Sequence, residues 1–135
     1  MINRRLFLLA GAAALAAGER EQIGAWLGTV VSRLREESAA EFLGAFEKRL
    51  RQTIDRNVWG LVRAAEVACS VEVVEIKASG SAQEIDADWF MELRPRAAAT
   101  ANEERRERVS IRVEKSGKTL MITGFSKPEL FRQLN

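Results

Sequence analysis

The spacing of apolar residues changes once along this chain, at about Glu66, and that change limits the folds open to it. Before it the interval is helical. Ile23, Trp26, Leu27, Val30, Val31 and Leu34 fall at i, i+3, i+4, i+7, i+8 and i+11, one stripe of a helix. Ser38-Ala39-Ala40-Glu41 has the form of a capping box and predicts a second helix, with Phe42, Phe46 and Leu50 along its edge. Ile54, Val58, Leu61 and Val62 predict a third, from about Thr53 to Ala65. Beyond Glu66 the interval is that of strands. Val67 to Ala78 is rich in valine and isoleucine and ends at the turn Ser79-Gly80-Ser81. Ile85, Ala87, Trp89, Met91 and Leu93 alternate with Asp86, Asp88, Phe90, Glu92 and Arg94, a strand with one apolar side. Pro95 to Glu107 is polar and alanine-rich and reads as a long connection. Val109, Ile111 and Val113 mark a third strand, and Ser116-Gly117-Lys118 turns it into a fourth, Thr119 to Gly124. Ser126-Lys127-Pro128-Glu129 caps a short last helix that buries Leu130 and Phe131. Helices segregated from strands predict an α+β domain, three N-terminal helices packed on a four-stranded antiparallel sheet.

Residues 1–16 stand apart from this pattern. Arg4-Arg5, an uncharged run from Leu6 to Ala17 and the small-x-small triplet Ala14-Leu15-Ala16 read as a secretory signal peptide cleaved after Ala16. The run is shorter than the roughly 20 apolar residues a membrane span needs, so cleavage is expected to leave no stable membrane anchor. Arg4-Arg5-Leu6-Phe7-Leu8 also resembles a twin-arginine signal, with Asn3 and Leu9 departing from that pattern. The expected product is an exported protein, periplasmic or extracellular, with residues 17–135 as its single domain. The chain holds 21 basic and 19 acidic residues, and setting aside Arg4 and Arg5 leaves 19 of each. A neutral domain offers no electrostatic case for nucleic acid.

Five segments carry a resemblance over about residues 20–131: Phe42-Leu43-Gly44-Ala45-Phe46, Ser70-Val71-Glu72-Val73, Ile85-Asp86-Ala87-Asp88-Trp89, Ile122-Thr123-Gly124-Phe125 and Pro128-Glu129-Leu130-Phe131. In these the chain resembles the nuclear transport factor 2-like superfamily, the cone-shaped fold of ketosteroid isomerase, scytalone dehydratase and the SnoaL-like proteins. The resemblance implies a curved sheet that encloses an apolar pocket with the helices, and an outer sheet face that makes a homodimer. Such folds host enzymes, binding modules and assembly domains alike, so fold alone does not decide function.

The chemistry available is narrow. The chain has no histidine and no tyrosine, and one cysteine. The aspartate–tyrosine and histidine–tyrosine sites of those isomerases and dehydratases therefore carry over to no position, and no catalytic residue, metal site or cofactor is assigned. Acid–base work would fall to carboxylates such as Asp55, Asp86 or Asp88, although the last two share the polar side of their strand. Cys69 has no histidine to make it a thiolate and reads as a small core residue. Gly117-Lys118-Thr119 imitates the end of a phosphate-binding loop but joins two strands, so it reads as a hairpin turn. The balanced run Glu103 to Arg108, and Arg49, Arg56 and Arg63 at intervals of seven, read as solvated surface.

Trp26, Phe46, Trp59, Trp89 and Met91 are the candidate pocket lining, set against the plainer reading that they are core. Val71, Val73, Phe90 and Met121 occupy strand phases that should be wet and are the candidate dimer face. The reading that follows is an exported, non-catalytic domain that binds a small apolar ligand or serves as a protein-interaction scaffold. The alternative is an isomerase or dehydratase working with carboxylates alone.

Overall fold

The computed structural model describes Gly18 and residues 20–135. The basic start, the apolar run and the cleavage position lie outside the described residues. The first helix, α1, is helical through 20–32, and its Ile23, Leu27, Val30 and Val31 are buried together with Leu34 just beyond it. Trp26, at the margin of the stripe, is half-buried against the same core. A 3-10 turn, Glu36–Ser38, leads into α2, Ala39–Gly44, and α3 follows over Lys48–Ala64.

The second helix is therefore shorter than its apolar spacing predicts, and the third starts earlier. Tertiary pairing is the cause. Ile122 donates its N–H to the Ala45 carbonyl and accepts from Glu47 N–H, both at 2.8 Å, so Phe46 leaves the helix as a parallel bridge to Ile122. The Glu47 carboxylate then caps α3, accepting the Arg49 N–H at 2.6 Å, whereas Ser38 makes no side-chain cap. Inward on α3 are Ile54, Val58, Leu61 and Val62, as expected, with Arg49, Arg56 and Arg63 outside.

Four antiparallel strands follow: β1, Ala65–Ser79; β2, Ala82–Pro95; β3, Glu103–Ser116; β4, Thr119–Phe125. They form a meander in the order β1-β2-β3-β4. Gly80 and Gly117 take φ of +63° and +65° in the two hairpin turns, a region glycine enters without steric cost. The long connection expected from Pro95 to Glu107 shrinks to 96–102, because Leu93 pairs with Glu103 and Met91 with Arg105. Backbone ladders need no apolar side chain, so a charged segment extends a strand whose alternation only its middle reveals.

Directly opposed residues share a face, and the register therefore sorts the side chains. Val71 lies opposite Trp89, Val73 opposite Ala87 and Ile76 opposite Ile85. Trp89, Ala87 and Ile85 are wholly buried, so Val71 and Val73 face the core and not the outer side. A β-bulge between Val73 and Glu75 inserts Val74 and reverses the alternation, which is why β1 reads as apolar in both phases while only one side is inward. This corrects the placement of Val71 and Val73 in a dimer face.

The core lies between this inner side and the helices. Trp89 meets Phe125 and Phe131 edge to face, with ring centres 5.2 and 5.9 Å apart, and Phe42 meets Phe46 at 5.1 Å. Phe131 comes from a 3-10 turn at Pro128–Phe131. Arg105, 4% exposed, secures this last segment. Its guanidinium donates to the Leu130, Arg132 and Gln133 carbonyls at 2.6–2.9 Å and to Glu103 at 2.6 Å. The run Glu103 to Arg108 is thus surface except at Arg105, which the strand's alternation turns inward, and at Glu103, half-buried beside it. Gly60 lets the tail cross α3, since a Cβ there would stand 2.7 Å from the Gln133 amide.

Candidate functional site

The candidate pocket residues do not gather around one opening. Phe46, Trp89 and Met91 are 0% exposed and sit among the core rings. Trp26 lies half-buried on α1. Trp59 lies half-buried on α3, with the Arg63 guanidinium stacked over its ring at 5.0 Å. Trp89 Nε1 is buried without a hydrogen-bond partner among the described residues, and its indole is packed among the core rings. Cys69 is half-buried opposite Met91 on the inner side of β1, and desolvation pushes its thiol pKa well above the ordinary value, the opposite of what a nucleophile needs.

An opening does exist where α1 meets the turn end of the sheet. It is a cleft of about 270 Å³ lined by Gln22, Ile23, Ser81, Gln83, Val113, Lys115 and Leu120. Gln83 pairs with Val113 and Lys115 with Leu120, so these four are neighbours on the inner side. Gln22 and Ile23 of α1 form the wall, and Ser81 stands at the β1–β2 turn. Ile23 and Val113 are buried and Leu120 half-buried, which gives an apolar floor beneath polar groups at the rim. None of the five candidate lining residues borders this cleft. Sequence reading passed over it because its residues lie at strand ends. The one legible signal was phase: Lys115 continues the inward set Val109, Ile111 and Val113.

The outer side of the sheet is polar and charged. Glu84 pairs with Arg112 and Asp88 with Arg108, each at 2.7 Å, while Asp86 accepts from Ser110 at 3.1 Å. Asp88 raises the Arg108 pKa by its hydrogen bond and its charge. Between β1 and β2, Glu72 opposes Asp88 and Glu75 opposes Asp86. Phe90 lies on this side with Arg106 stacked over it at 5.1 Å. Met121 also faces outward, opposite Glu114. Phe90 and Met121 do not join into a patch, because their partners on β3, Arg106 and Glu114, are eight residues or roughly 27 Å apart along the strand. Asp55 is exposed on α3, and Asp86 and Asp88 are on the outer side, so no candidate acid–base carboxylate reaches the cleft.

Among the described residues, no group of three histidine, cysteine, aspartate or glutamate side chains is placed to hold a metal ion, and no helix is long and apolar enough to cross a membrane. Compared with known proteins, the chain matches no family model, and no curated protein or solved structure is significantly similar to it.

Proposed function

We propose that this chain is an exported, non-catalytic domain on a nuclear transport factor 2-like cone that binds a small apolar molecule. The observation that carries the reading is the cleft between α1 and the turn end of the sheet. It has an apolar floor of Ile23, Val113 and Leu120 and a few polar groups at its rim, the usual make-up of a small-molecule site. The order of helices before a four-stranded meander supports the cone resemblance. The cleft has no carboxylate among its described lining residues, and Asp55, Asp86 and Asp88 lie away from it, which weighs against an enzyme working with carboxylates such as these. Export rests on the N-terminal sequence, and N-terminal sequencing of protein recovered outside the cytoplasm should read from Ala17. The binding reading is tested by native mass spectrometry of the freshly purified protein, followed by titration with medium-chain apolar molecules while NMR follows Ile23, Val113 and Leu120. Failure of any such molecule to move those signals would overturn it.

A further inference from the structure

Resting on that binding reading, the geometry points to a small apolar carboxylate as the occupant of the cleft, with Lys115 as the residue that holds its charged end. The inner side of β3 carries four charged side chains: Glu103, Arg105, Glu107 and Lys115. Three of them have counter-charges. Glu103 and Arg105 bond to each other at 2.6 Å, and Glu107 lies 3.9 Å from Lys127. The Lys115 side chain makes no ion pair or hydrogen bond with any other described residue, and it borders the cleft at the turn end of the inner face.

The surroundings of that ammonium fit one class of ligand. Ile23, Val113 and Leu120 offer apolar surface for a hydrocarbon chain, and Lys115 stands beside Leu120 in register, so chain and charged end would be bound side by side. Charge-assisted hydrogen bonds between an ammonium and a carboxylate are stronger than neutral ones, so the charge would select among molecules of equal apolarity. Ser81 and Gln22 place a hydroxyl and an amide at the rim, able to donate to the second carboxylate oxygen. Among the described residues no arginine lines the cleft, and a single ammonium matches one negative charge better than a phosphate's two. The volume, about 270 Å³, lies just below the roughly 300 Å³ at which small-molecule sites usually begin, and suits a medium-chain acid rather than a long-chain lipid.

Octanoate, octanol and octylamine share one chain length and differ in the charged end, and each is titrated into the protein by calorimetry with NMR locating the site. The expected result is octanoate binding about tenfold more tightly than octanol, octylamine more weakly than both, and shifts at Ile23, Val113, Lys115 and Leu120. Lys115 is exposed, so Lys115→Met should keep the wild-type melting temperature while lowering octanoate affinity to that of octanol. Equal affinities for octanoate and octanol, with shifts at the cleft, would leave the binding reading standing and overturn the carboxylate inference. Unchanged octanoate affinity in Lys115→Met would overturn it as well. Failure of all three compounds to move the cleft signals would remove the binding reading and this inference with it.

Discussion

At the scale of single residues, the charge on β3 with the largest structural consequence is Arg105. Its side chain is 2% exposed and bonds to three carbonyls of the last segment and to Glu103. Arg105→Ala would leave those carbonyls without their donor and the half-buried Glu103 carboxylate without its strongest counter-charge. We expect a loss of about 3–5 kcal/mol in urea denaturation. Glu103 is subject to opposing influences. Burial raises its pKa, but the hydrogen bonds from Arg105 and the Asn135 N–H, with the charges of Arg105 and Arg132, outweigh it and hold the carboxyl below its ordinary 4.5. A carboxyl with a depressed folded pKa contributes stability that is fully present above the unfolded value and is lost as pH falls through the folded one. The stability difference between wild type and Glu103→Gln should therefore shrink as pH is lowered from 6 through the carboxylate range, measured by denaturation at a series of pH values. In the sequence, Arg105 is one of six charged residues in a row, and nothing local distinguishes it from its neighbours. Its burial follows from the strand phase and from a tail that arrives 25 residues later.

Among the elements, β1 departs furthest from its sequence pattern. Residues 71–76 look apolar on both sides, and the Val74 bulge resolves this by putting Val71, Val73 and Ile76 on one side. Arg20 of α1 donates to the Val73 and Val74 carbonyls at 3.0 Å, right at the bulge. The bulge sets Glu72 opposite Asp88, the turn-side register sets Glu75 opposite Asp86, and like charges directly opposed destabilise a sheet. Glu72→Lys should stabilise the fold by about 0.5 kcal/mol in dilute buffer, and the gain should vanish near 1 M salt, where screening acts over about 3 Å. A stabilisation independent of salt would mean that repulsion at Asp88 is not its source. The division of helix two into α2, a bridge and α3 has a similar origin. Phe42 and Phe46 keep helical spacing in sequence, yet the bonds between Ala45, Glu47 and Ile122 are what end α2.

For the whole molecule, the inner side of the sheet is filled with rings and the outer side is laced with ion pairs. Trp89 stands at the centre of the filled side, touching Phe125 and Phe131, and Trp89→Ala should cost about 3–5 kcal/mol by the cavity it leaves. A loss within error in chemical denaturation would contradict its burial. On the outer side, the apolar case for a homodimer loses Val71 and Val73 to the core, and Phe90 and Met121 stand too far apart to act together. Analytical ultracentrifugation of Phe90→Glu should give the same sedimentation coefficient as wild type. A shift toward a smaller species would restore this face as an interface.

Periodicity by itself determined the class of this fold. The change from helical to strand spacing near Glu66 placed helices before strands, and the inward residues of α1, α3 and β2 follow from one interval repeated along each element. Intervals are local, so they survive without knowledge of the neighbours. Tertiary structure alone decided what depends on pairing partners distant in sequence: the bridge that ends α2, the bulge that turns Val71 and Val73 inward, the charged half of β3, and the burial of Arg105. The cleft belongs with these. Gln22 and Lys115 are 93 positions apart, and only the packing of α1 over the turn end of the sheet makes one surface of them.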